Sequence, residues 1–124
     1  MVNQLSNDVH SSKGRHVILD LWDVDQDILD NLPYLHTLGK IAIAKSGASF
    51  VSMTEKKFSP HGVTLLFLLE ESHLSFHSFW DQSYLAVDIY TCGDADPNIA
   101  ADYIVQELKP KEIYRQEIIR GVRY

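Results

Sequence analysis

The stretch Val63–Leu69, VTLLFLL, is apolar at every position but one, and it constrains the fold of this chain more than any other segment. A turn signal, Ser59-Pro60-His61-Gly62, precedes it and two acids, Glu70-Glu71, follow it. A short apolar run bounded in this way reads as a β-strand buried on both faces. Such a strand must sit inside a sheet that has cover above and below it.

The rest of the chain supplies the sheet. His16-Val17-Ile18-Leu19-Asp20-Leu21-Trp22 is β-branched and apolar, and Phe50 to Thr54 alternates weakly. Leu74 to Phe79 alternates with Leu74 and Phe76 on one face and Ser75 and His77 on the other. Tyr84 to Tyr90 and Lys111 to Ile119 complete six expected strands. Two segments have helical spacing. Leu35, Leu38, Ile41 and Ala42 recur behind Asn31 and Pro33, with Gly47 placed to end that helix. Ile99, Ala100, Tyr103, Ile104 and Leu108 recur behind Asp96-Pro97, and Pro110 ends that helix. Asp23 to Asp30 reads as an acidic turn, Thr91 to Asp94 as a strand break, and residues 1–13 as a loose polar tail. The order strand, helix, four strands, helix, strand predicts an α+β fold: a two-layer α/β sandwich, mainly antiparallel, with both helices on one face. The other face then needs a partner, and a second copy of the chain is the simplest one. Residues 14–124 are expected to form a single domain.

With 124 residues the chain is long enough for a core without staples. A net charge of −6 argues against a general nucleic-acid binder. No apolar run reaches the ~18 residues of a membrane span, and the N-terminus has no signal-peptide pattern. Cys92 is the single cysteine, so the chain holds no internal disulfide and no cysteine-based zinc cage; a cytoplasmic setting is expected.

Few residues stand out as chemistry. His73 and His77 are four apart, but on a strand that separation is ~13 Å, too wide for one ion, so no metal site is expected. Ser72, His77 and Asp88 contain the side chains of a hydrolase triad without its spacing. Cys92 sits at a strand end before Gly93 and near a helix start, where functional groups are common, although a lone cysteine is more often a small buried hydrophobe. Glu70-Glu71-Ser72-His73 reads by itself as a polar hairpin turn.

Taken together, Gly14-Arg15-His16, Phe58-x-Pro60-x-Gly62-Val63, Glu71-Ser72-His73-Leu74-Ser75-x-His77 and Asp88-x-x-Thr91-Cys92-Gly93-Asp94 resemble the short prokaryotic S-adenosylmethionine decarboxylases over residues 14 to 121. The resemblance implies a proenzyme that cleaves itself between Glu71 and Ser72. Ser72 attacks the Glu71 carbonyl to give an ester, and His77 acts as the base for the elimination. The products are a β chain, 1–71, and an α chain, 72–124, headed by a covalent pyruvoyl group made from Ser72. That group's carbonyl would take the substrate amine as a Schiff base and serve as the electron sink for decarboxylation. Cys92 matches the proton donor, and a thiol is ordinarily protonated at neutral pH. Phe58 and His77 match the positions flanking adenine, Asp81 the ribose-binding carboxylate and Thr64 a residue that assists processing. A small cationic substrate, a homodimer with the site at the subunit junction, and a role in spermidine and wider polyamine synthesis are also implied.

Some positions depart from the family pattern. His77-Ser78-Phe79-Trp80-Asp81 stands where His-Thr-Trp-Pro-Glu is usual, and Thr64-Leu65 where Ser-Gly is usual. The processing residues are intact and the substrate-reading ones are altered. Arginine or ornithine, the substrates of pyruvoyl-dependent relatives, are therefore the alternative to S-adenosylmethionine. A non-catalytic regulatory relative is a third reading. Trp80 could stack on adenine or fill its slot.

Overall fold

The structure, a computed structural model, describes residues 12–123. The expected tail lies outside them except for Ser12 and Lys13. Six strands form one antiparallel sheet: β1 (Gly14–Trp22), β2 (Phe50–Lys57), β3 (Val63–Leu69), β4 (Ser72–Phe79), β5 (Tyr84–Cys92) and β6 (Glu112–Arg120). Three helices accompany it: α1 (Gln26–Leu29), α2 (Leu32–Ser46) and α3 (Pro97–Leu108). The spatial order is β2-β3-β4-β5-β1-β6, so β2 to β5 run as a meander and β1 returns to the far side of β5.

Local chemistry sets the helix ends. The Asn31 side chain accepts the Tyr34 N–H at 3.1 Å, and Gly47 closes α2 in the left-handed conformation at φ 87°. Asp96 accepts the Asn98 N–H at 2.9 Å, with Pro97 in the first turn of α3. Helix α1 corrects the expected acidic turn. Asp25 caps it through the Asp27 N–H at 2.8 Å and Leu29 is fully buried. One turn is too short to show periodicity in sequence.

Alternation decides which side of the sheet is core. Val17, Leu19 and Leu21 of β1, Leu65 and Phe67 of β3, Leu74 and Phe76 of β4, and Leu85, Val87 and Ile89 of β5 form one buried cluster with Leu35, Leu38 and Ala42 of α2 and Ala100, Ala101 and Ile104 of α3. Ile41 and Ile99 correct the expected helix stripes, because they are 38% and 45% exposed.

The opposite sheet face differs from expectation more instructively. Among the described residues strand β3 is covered on one face only, and Leu66 and Leu68 are 43% and 53% exposed on the other. Pairing also lengthens several strands beyond their sequence signal. Ser72 pairs with Leu69, and Cys92 pairs with Gly14. β4 therefore begins at Ser72, and β5 runs through the expected break to Cys92.

Candidate active site

Strands β3 and β4 are joined by the two residues Glu70 and Glu71. The Glu70 N–H donates to the Ser49 carbonyl at 3.0 Å, which ties this loop to the start of β2. Glu71 lies in the left-handed region at φ 54°. An L-residue there carries a cost of ~1–2 kcal/mol. The strain therefore sits at the residue whose carbonyl would be attacked. Ser72 follows immediately, 8% exposed, with its hydroxyl donating to the Glu70 carbonyl at 3.0 Å. The Cys92 thiol, delivered by the last residue of β5, donates to the Glu71 carbonyl at 3.4 Å. Glu71, Ser72 and Cys92 are thus one constellation at one end of the sheet. Beside it the Tyr90 hydroxyl is pushed up, first by its hydrogen bond with Cys92 and then by burial.

The remaining expected residues gather at the opposite end. His77 pairs across from Thr64, with Nδ1 and Oγ1 3.4 Å apart. Phe58 follows β2 and is 45% exposed. Asp81 lies in the short 3-10 turn Trp80–Gln82, exposed. Ser72 and His77 are five residues apart on one strand. At the strand rise that is ~16 Å, and an odd separation puts the two side chains on opposite sheet faces. Within one chain His77 does not reach the Glu71–Ser72 bond. The hydrolase triad is likewise not assembled, because Asp88 is opposite Ser75 and not near both Ser72 and His77.

Asp88 has a different set of partners. Its Oδ2 meets His16 Nε2 at 2.7 Å and His73 Nε2 at 3.0 Å, and the Ser75 hydroxyl donates to Oδ1. Burial alone would raise the Asp88 carboxyl. Hydrogen bonds from His73, Ser75 and His16 outweigh it and hold the carboxyl well below the usual range. One potential ligand atom from each of His16, His73 and Asp88 lies within 4.8 Å of the other two. Their 2.7 and 3.0 Å contacts are hydrogen-bond lengths, shorter than the ~3.3 Å between neighbouring ligands of a tetrahedral zinc with 2.0–2.1 Å bonds. We read the group as a His–carboxylate–His network that ties β1, β5 and β4 together behind Ser72. Sequence reasoning quoted His16, His73 and Asp88 without connecting them. Alternation places all three on the outer sheet face, but only the strand register brings them together.

A groove of about 530 Å³ runs over that outer face and is lined by Thr54, Leu66, Leu68, His73, Ser75, His77 and Asp88, among others. It takes in His77 and, next to Ser72 in sequence, His73.

Residues 15–121 match the family model described as S-adenosylmethionine decarboxylase. The chain is 46% identical over 114 residues to "S-adenosylmethionine decarboxylase proenzyme 2" of Bacillus anthracis, covering 91% of this chain and 93% of that protein. It is 43% identical to the S-adenosylmethionine decarboxylase proenzyme of Brevibacillus brevis, covering 91% and 86%. Among solved structures it is similar to the adenosylmethionine decarboxylase from Aquifex aeolicus VF5, with a TM-score of 0.83 and 34% identity over 92% of this chain and 95% of that one.

Proposed function

The chain belongs to the S-adenosylmethionine decarboxylase family, and from that premise we propose that it is a self-processing, pyruvoyl-dependent decarboxylase of S-adenosylmethionine. The observation that carries this reading is the hairpin at residues 69–72. A strained Glu71 with a serine directly after it suits serine-dependent chain cleavage, and a thiol 3.4 Å from the Glu71 carbonyl puts a proton donor beside the new terminus.

Processing begins with the Ser72 hydroxyl. Its oxygen adds to the Glu71 carbonyl carbon, the C–N bond breaks and an ester forms. Removal of the Ser72 α-proton expels the Glu71 carboxylate and leaves a dehydroalanyl terminus. Water converts this terminus to the pyruvoyl group with loss of ammonia. Leaving the left-handed conformation at Glu71 offsets part of the cost of the first step. Ser72 fits this role, since the new group would head β4 within reach of Cys92. When present, the pyruvoyl group supplies a carbonyl that binds the substrate amine and accepts the electron pair released with carbon dioxide. Cys92 then returns a proton to the substrate carbon. Phe58 and His77 flank the adenine, Asp81 accepts from the ribose hydroxyls, and Thr64 supports His77 in processing.

The split of these residues between two ends argues for a homodimer whose outer sheet faces meet. A two-fold axis across that face brings the His77 end of one protomer toward the Ser72 end of the other. It also covers Leu66 and Leu68, which restores the double burial expected for β3. Each protomer is then a two-layer sandwich of helices on sheet, formed by the single domain 14–124. A net charge of −6 suits a cationic substrate.

Denaturing mass spectrometry of the purified protein tests the reading. It is expected to show a 1–71 chain and a 72–124 chain blocked at its N-terminus, and Ser72→Ala is expected to remain one chain. Carbon dioxide release is then compared for S-adenosylmethionine, arginine and ornithine. A full-length, active wild type would overturn the pyruvoyl chemistry. Release from arginine or ornithine alone would overturn the substrate.

A further inference from the structure

We propose that Asp30, His61 and Trp80 form a clamp that positions the 58–62 loop, and with it Phe58 and Asp81, for the adenosine half of the substrate. The inference deepens the proposed function and rests on that reading for its substrate. The loop between β2 and β3 is held from three directions. Oδ1 of Asp30 accepts the Gly62 N–H at 2.9 Å and the Lys57 ammonium at 3.0 Å, and Oδ2 meets His61 Nδ1 at 2.6 Å. The Gly62 N–H, then His61, hold the Asp30 carboxyl well below the ordinary range, so it stays an anion while it binds them. The other face of this arrangement is aromatic. The His61 ring lies on the Trp80 indole with centroids 3.7 Å apart and planes 9° apart.

This stack bears on the question left by Trp80. One face of its ring is taken by His61 and the side chain packs against the core, so the indole is engaged within the protomer. Trp80 is also the residue before Asp81, and its carbonyl accepts from Gln26 Nε2 at 2.9 Å and from the Ser83 N–H at 3.2 Å. The 3-10 turn is therefore fixed from behind. At the far side of the loop the Phe58 N–H donates to the Gly62 carbonyl at 2.9 Å, and Lys57 Nζ reaches the Phe58 carbonyl at 3.2 Å. Gly62, at φ 110°, lies between the Phe58 ring and the Ser78 carbonyl of β4. Phe58 and Asp81 thus belong to separate segments that are locked to each other by one carboxylate and one ring stack. These contacts make Asp30, His61 and Trp80 positioning residues. They set where the binding groups stand without touching the reacting atoms.

The test compares His61→Ala, which removes both stack and hydrogen bond, with His61→Phe, which keeps the stack. Asp30→Asn is the second probe, because it keeps an acceptor for the Gly62 N–H and loses the charge. Four readouts are taken on the mature enzyme: extent of self-cleavage, kcat and KM for S-adenosylmethionine, inhibition by adenosine, and amide exchange of residues 58–62. For His61→Ala we expect complete cleavage, kcat within about twofold, and KM raised about fivefold to tenfold, since a small misplacement of a positioned group is costly. Adenosine inhibition should weaken by the same factor and exchange in the loop should quicken. His61→Phe should recover most of the affinity, and Asp30→Asn should fall between the two. An unchanged KM despite faster exchange would overturn the proposal, as would loss of kcat with KM unchanged. If the wild type neither binds adenosine nor decarboxylates S-adenosylmethionine, the functional reading fails. Unchanged exchange in His61→Ala refutes the clamp itself, whatever the substrate.

Discussion

Cys92 is the residue whose placement says most. A thiol at the end of an apolar strand is ordinarily packing material, yet here it donates to the carbonyl of the proposed cleavage site at 3.4 Å. Cys92→Ala should still cleave, at least in part, because the attacking group is the Ser72 hydroxyl. Its decarboxylation should fall by on the order of 10²–10⁴, the usual worth of a positioned acid. Mass spectrometry and carbon dioxide release on one sample separate the two effects, and wild-type turnover would remove Cys92 from the mechanism. Asp88 carries a pH prediction. Its carboxyl is depressed in the folded state relative to the ordinary 3.8. A depressed carboxylate adds stability that is fully present above the unfolded value and is lost as pH falls toward the folded one. Denaturant midpoints from pH 7 down to about 3 should drop more steeply below about pH 4 for wild type than for Asp88→Asn. Asp88→Asn should be the less stable protein at neutral pH, with a shallower acid limb. Some slope will remain, since Asp30 and Asp96 are also depressed.

Between elements, α2 comes close to the sheet at Gly39. A Cβ on Gly39 would lie 2.3 Å from the Phe67 ring, and Phe67 is fully buried edge-on to Phe76. Both rings are fully buried, so Gly39→Ala should destabilise by about 1–3 kcal/mol despite alanine's better helix propensity. Thermal unfolding checks the sign, and a raised Tm would mean that α2 stands further from the sheet than described. The same logic explains Gly14, where a Cβ would meet the Tyr90 ring at 2.6 Å on the outer face. Strand β6 is exposed along its length and is joined to α3 through Arg115, which binds Asp102 at 2.7 Å and Asn98 at 2.8 Å.

For the whole molecule the decisive quantity is the ~16 Å between Ser72 and His77 along β4. A single protomer cannot bridge it, so each His77 must serve the neighbouring chain's Ser72 if both act in processing. Co-expressing differently tagged Ser72→Ala and His77→Ala chains tests this. Each variant alone should stay intact, whereas in the mixed dimer the His77→Ala chain should be cut and the Ser72→Ala chain should not. Absence of cleavage in purified mixed dimers would show that the two residues do not cooperate across the interface.

Sequence alone determined the order of the strands and the two longer helices. Val63–Leu69, the alternation in β4 and β5, and the caps at Asn31 and Asp96 are local patterns, and local patterns are legible because period and capping act over a few residues. The motif around Glu71-Ser72 was legible only through its resemblance to a family; by itself it reads as a polar hairpin turn. Tertiary structure decided everything that depends on register. The meeting of His16, His73 and Asp88 needs three strands aligned to the residue, and the stack of His61 on Trp80 needs two loops brought together. The extension of β5 to Cys92 rests on pairing with β1, in a segment whose own residues signal a break. The division of the site between two ends, and the one-sided cover of β3, follow from the count of residues along a strand and from which face the helices occupy. Neither is a property of any short stretch of chain.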